Sequence, residues 1–159
     1  MTRKADFNAE EWSTVVEGPA YASLRVISAD RGGTLRESMA VGRVYQEARR
    51  EQGDSPLLDE IVASPPAIDQ SRVREAGGGP AAIAPIVAER LRAAMEILEA
   101  KATPEEVDAY KKFVMTVSQA AASAHKEGGF LGIGGKEISE AEDKALDEIS
   151  VALGAPPAS

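Results

Sequence analysis

The 159-residue chain carries no cysteine and one histidine, His125, which excludes disulfides, thiolate chemistry and any metal site built from cysteines or several histidines. Its 26 acidic and 18 basic residues leave a net charge of −8, the wrong sign for a nucleic-acid binder, whose affinity comes from lysine and arginine on phosphates. No apolar run nears the roughly 20 residues that span a bilayer, and the basic start of the chain lacks the apolar stretch of a secretory signal, so a cytoplasmic protein is expected.

Asn8 and Glu11 have the spacing of a capping box, and Phe7 and Trp12 that of a hydrophobic staple, so a first helix opens there. Gly18-Pro19 predicts a kink or a new start, because proline lacks an N–H and crowds the preceding turn. Tyr21, Leu24, Val26 and Ile27 carry the pattern on to about Ala29. Asp30-Arg31-Gly32-Gly33 then ends the helix, and Thr34-Leu35-Arg36-Glu37 is the capping box of the next. Leu35, Met39, Val41, Val44, Tyr45 and Ala48 recur at helical spacing until Gly53 stops the run.

Ser55-Pro56 starts a short helix whose apolar face is Leu57, Leu58, Ile61 and Val62. Residues 64–80 hold three prolines and Gly77-Gly78-Gly79, which reads as a linker between two halves, with room for a helical turn around Val73. From Pro80 to about Lys101, the residues Ile83, Ile86, Val87, Leu91, Met95 and Leu98 describe a long helix. Thr103-Pro104-Glu105-Glu106 supplies a cap, a first-turn proline and a capping glutamate. Val107, Tyr110, Val114, Val117, Ala121 and Ala124 form one buried stripe behind it. Ser139 and Glu142 open the last helix, Leu146, Ile149 and Leu153 face inward, and Gly154 with Pro156-Pro157 closes it. No segment alternates with period two. The expected fold is all-α, a compact bundle of about six helices in a single domain over residues 1–159, with its ordered core over about 7–154.

Two junctions can be laid over one another. An acid ends a helix (Asp30, Glu127), a glycine pair follows (Gly32-Gly33, Gly128-Gly129), and a Ser/Thr-x-x-Glu box opens the next helix (Thr34 and Glu37, Ser139 and Glu142). Apolar or small residues then fall at matching offsets: Val41, Val44 and Ala48 in one copy, Leu146, Ile149 and Leu153 in the other. A pseudo-two-fold arrangement of two helix–Gly-turn–helix units follows from that reading. Acid, glycine, then Ile138-Ser139-Glu140-Ala141-Glu142 between two helices resembles the TerB-like helical domains, a family named for tellurite resistance that includes the N-terminal part of a membrane-anchored co-chaperone. The match departs from the family pattern at Gly33, where an apolar residue is usual, at Glu127, where aspartate is usual, and in the glycine-rich insertion. The resemblance implies an all-helical binding domain in a stress-response or membrane-associated setting, whose acidic turns bind a divalent metal.

The candidate metal ligands are therefore Asp30, Glu37, Glu127 and Glu142, an oxygen-only set suited to Ca²⁺ or Mg²⁺. The capping role of Glu37 and Glu142 needs no metal and stands as the plainer reading. In the loop 128–135, Phe130, Leu131 and Ile133 either tuck back onto the bundle or form an exposed apolar tip for a protein partner or a membrane surface. The loop follows a helix and lacks a Lys-Ser/Thr pair, so it is not a nucleotide fingerprint. The leading expectation is a non-enzymatic binding domain modulated by a divalent cation. The alternative is a metal-free acidic protein-interaction module using loop 128–135. A hydrolase using carboxylates with His125 ranks third.

Overall fold

The computed structural model of the chain describes residues 1–29, 34–64, 70–75, 77, 79–124 and 138–155. They form seven α-helices and no strand: α1 Ala9–Ala29, α2 Thr34–Arg50, α3 Pro56–Ala63, the short α4 Gln70–Glu75, α5 Pro80–Lys101, α6 Pro104–Ser123 and α7 Glu140–Ala152, with a 3-10 turn over Lys4–Asp6 ahead of α1. This is the all-α bundle that the periodicity predicts. No helix among the described residues is long and apolar enough to cross a membrane.

Helix α1 is the axis of the bundle. It packs on α5, α6 and α7 and touches α2 and α3. Most of its circumference between Trp12 and Val26 is buried, including Glu17 and Arg25. Buried charges need partners, and both have them. Glu17 accepts from Arg90 of α5 at 2.7 Å and from the Ser13 hydroxyl at 2.8 Å. Arg25 donates Nε to Glu148 Oε2 of α7 at 3.0 Å, and its second nitrogen lies 2.8 Å from the same oxygen.

Of the kink or new start expected at Gly18-Pro19, the new start does not occur. α1 runs through Pro19 as one helix from Ala9 to Ala29. Proline leaves the carbonyl four residues back without its helical donor; here that carbonyl is Val15 O. The Tyr110 hydroxyl of α6 donates to it at 2.8 Å. Gly18 makes the approach feasible, because a Cβ at that position would lie 2.0 Å from the Tyr110 hydroxyl oxygen. The glycine–proline pair is thus a docking notch inside a continuous helix.

The caps follow the sequence closely. Asn8 Oδ1 accepts from Glu11 N at 2.9 Å while Glu11 Oε2 accepts from Asn8 N at 2.8 Å. The staple rings of Phe7 and Trp12 meet with centroids 5.6 Å apart. At the far end, Gly154 adopts φ +75. Its N–H donates to Val151 O at 2.9 Å and that of Ala155 to Ser150 O at 3.0 Å, the double bond of a Schellman ending. α2 begins at Thr34 itself, so its first turn sits one residue earlier than a cap at Thr34 places it. Met39, read from its spacing as part of the α2 apolar face, is 54% exposed.

Tertiary contacts extend N-terminal of residue 7. Thr2 is buried against α6, its N–H donating to Glu106 Oε1 at 2.9 Å and its hydroxyl to Glu106 Oε2 at 2.7 Å. Arg3 approaches Glu60 of α3 at 3.8 Å, and Lys101 donates to the Asp6 carbonyl at 3.0 Å.

Candidate partner-binding groove

The C-terminal half of α2 runs beside the N-terminal half of α6, with α3 closing one end. A small second core locks the pair: Tyr45, Val62, Phe113 and Val117 are buried together, with the Tyr45 and Phe113 rings edge to face at 5.2 Å. Burial pushes the Tyr45 phenol well above its usual range against the opposing influence of Arg49, so it stays neutral. Arg49 donates Nε to Val62 O at 2.7 Å, satisfying one of the carbonyls orphaned at the end of α3.

The turn between α2 and α3 sets the third wall. Gly53 has φ +129, a conformation that favours glycine, and its N–H donates to Asp59 Oδ2 at 3.1 Å. The Ser55 hydroxyl caps α3 by accepting from Leu58 N at 3.3 Å, and Pro56 occupies the first turn. These contacts turn Leu58 and Asp59 toward α6.

Between these walls lies a groove of about 360 Å³. Val44, Ala48, Leu58, Ala109 and Phe113 supply its apolar lining. Glu47, Glu51, Asp54, Asp59, Glu105 and Glu106 surround them, against a single cation, Lys112. Asp59 and Glu106 are engaged in the turn and the cap. Among the described residues, no hydrogen bond or ion pair holds the side chains of Glu47, Glu51, Asp54 or Glu105, which are exposed. A concave surface ringed by one sign of charge concentrates field and attracts the opposite sign.

Glu106 also links this groove to the N-terminal segment. Its Oε2 accepts from Thr103 N at 2.9 Å, completing the capping box, while both oxygens hold Thr2. Burial pushes the carboxyl up, but the Thr2 hydroxyl and the backbone N–H groups of Thr103 and Thr2 outweigh it and hold the group below its usual range. The sequence assigns Glu106 only its local cap; the tie to Thr2 is a tertiary contact with no local signature.

The sequence-derived site residues distribute differently. Asp30, Glu127, Phe130, Leu131 and Ile133 lie outside the described residues, as does His125. Glu37 and Glu142 are each 2% exposed, at the first turns of α2 and α7. Glu142 caps α7, accepting from Ser139 N at 2.9 Å and donating its own N–H to Ser139 Oγ at 3.2 Å. Among the described residues there is no group of three or more His, Asp or Glu side chains placed to hold a metal ion. The two copies of the helical repeat are also unequal: Leu146, Ile149 and Leu153 are buried in the main core, whereas Val41, Val44 and Ala48 are partly buried beside the second core.

The groove acids escape a reading of the sequence. In α2, Glu47 and Glu51 alternate with Arg43, Arg49 and Arg50, so no acidic stripe stands out. Glu105 looks like ordinary first-turn chemistry, favourable to the helix dipole. Only the α2–α3 turn brings Asp54 to the same rim.

No protein-family model matches the chain, and neither the curated proteins nor the solved structures yield a significant match.

Proposed function

We propose that this chain is a non-enzymatic helical binding domain that takes a basic, partly apolar segment of a protein partner in the groove between α2, α3 and α6. The observation that carries the reading is the pairing of an apolar lining with four unengaged rim carboxylates, Glu47, Glu51, Asp54 and Glu105. The lining favours burial of an apolar side chain. The rim selects cations and speeds their encounter. The hydroxyl of Ser55 is committed to its cap, which leaves the groove suited to holding rather than to chemistry.

Fluorescence anisotropy with a labelled basic, leucine-bearing peptide tests this. Binding is expected, and it weakens with salt because exposed charges are screened. Glu51→Lys with Glu105→Lys removes it while the melting temperature holds. Equal binding of an acidic peptide, or no effect of the charge reversals, overturns the reading.

The TerB-like reading, with a divalent cation at the acidic turns, is the second proposal. It draws on the burial of Glu37 and Glu142 at the openings of α2 and α7. Titration calorimetry with Ca²⁺ and Mg²⁺ tests it. Heat that disappears in Asp30→Asn or Glu142→Gln supports it, and no heat with either ion sinks it.

A further inference from the structure

The walls of the groove say which backbone conformation an occupant must bring. On α2 and the residue just past its end the lining residues are Val44, Glu47, Ala48 and Glu51, one face over two turns. On α6 they are Glu105, Glu106, Ala109, Lys112, Phe113 and Thr116, one face over three turns. At the rise of an α-helix these faces run about 10 Å and about 16 Å. Both walls are helical, and along Val44, Ala109, Lys112 and Phe113 the backbone N–H and C=O groups bond within their own helices. They offer no edge on which a strand could add. An extended peptide laid over Ala48, Leu58 and Phe113 would bury its own N–H and C=O groups without partners, at a cost that an apolar lining cannot offset cheaply. A helix meets those needs internally.

From this we infer that the occupant is an amphipathic α-helix of about two to three turns, apolar face inward, with lysine or arginine one turn apart along its flank. The inference rests on the groove being the binding surface. Glu47 on α2 and Glu51 just past its end stand four residues apart, with Glu51 N–H still donating to Glu47 O at 3.0 Å, so cations four residues apart on a partner helix meet both. Glu105 belongs to the opposite wall, α6, and Asp54 to the turn that leads into α3. The groove volume of about 360 Å³ lies at the small end of ligand pockets, room for a large apolar anchor rather than a whole helix. The rest of the partner therefore rides above the rim, where its cations reach the carboxylates.

The test uses the full chain and three labelled peptides: a leucine-striped helix with lysines four residues apart, the same peptide with a central proline, and the same residues scrambled to disperse the stripe. The expected result is tight binding of the first alone, with a gain of helical circular dichroism on binding. The proline version loses at least about tenfold, since proline in a helix interior breaks it. Glu47→Gln with Glu51→Gln weakens the helical peptide by about two- to thirtyfold, the range for two exposed ion pairs. Lys112→Glu strengthens it. If the proline and helical peptides bind alike and both are lost with the glutamines, the groove stands and the helical occupant is overturned. If no basic peptide binds, or the glutamines change nothing, the groove reading itself fails.

Discussion

The Tyr110 hydroxyl reaches across from α6 to the Val15 carbonyl of α1, the acceptor that Pro19 leaves without its helical donor. The same side chain fills the notch at Gly18. Burial holds its phenol above its usual range, which favours the protonated donor.

Tyr110→Phe strands the Val15 carbonyl in the core, and a loss of about 1–3 kcal/mol is expected from that alone. Pro19→Ala restores an N–H at the right position. In that background Tyr110→Phe costs much less, because Val15 O regains an internal donor. A double-mutant cycle read by urea unfolding checks this, and additive losses would show that the hydroxyl acts elsewhere.

Gly18→Ala puts a methyl group onto the tyrosine oxygen and destabilises by about 1–3 kcal/mol through overpacking. Combined with Tyr110→Phe, most of the clash goes, because the nearest remaining ring atom is at 3.3 Å. Thermal melts of the four proteins separate this steric effect from the helix propensity of alanine, which acts in the opposite direction.

Acid stability depends on Glu106. Its folded carboxyl sits below the ordinary value of 4.5, so as pH falls the unfolded chain takes up the proton first. The stability tied to Thr2 and Thr103 is complete above the unfolded value and disappears as pH drops through the lower folded value. Urea midpoints followed from neutral pH down through this window fall in the parent chain. Thr2→Val weakens the anchor and flattens that fall; an unchanged slope would place the acid sensitivity in other carboxylates.

Ser139→Ala removes the acceptor for Glu142 N and is expected to destabilise by about 1 kcal/mol. Hydrogen exchange at the first turn of α7 rises with it, while α6 is unaffected. Equal loosening of both helices would mean that the cap organises the junction as well as the helix end.

Local chemistry was the legible part of this chain. Asn8 with Glu11, Thr103 with Glu106 and Ser139 with Glu142 announced their helices because each box is complete within four residues. Pro19 misled for the complementary reason: its local cost is real, but Tyr110 offsets it from another helix. The groove was illegible because Glu47, Asp54 and Glu105 become neighbours only after α2, α3 and α6 have packed. Asp30, Glu127 and the glycine-rich loop lie outside the described residues.

One consequence concerns the order of folding. Thr2 bonds to Glu106, Val15 to Tyr110 and Arg25 to Glu148, partners separated by 104, 95 and 123 positions. Each contact reaches to residue 106 or beyond. In a chain made from its N-terminus, the residues of α1 therefore precede their partners in α6 and α7 by about a hundred positions. Helical bundles usually fold fast because their contacts are local, and rates fall as sequence separation grows. The ties named here are of the non-local kind, and the faces of α1 that meet α6 and α7 are covered only when those helices have packed.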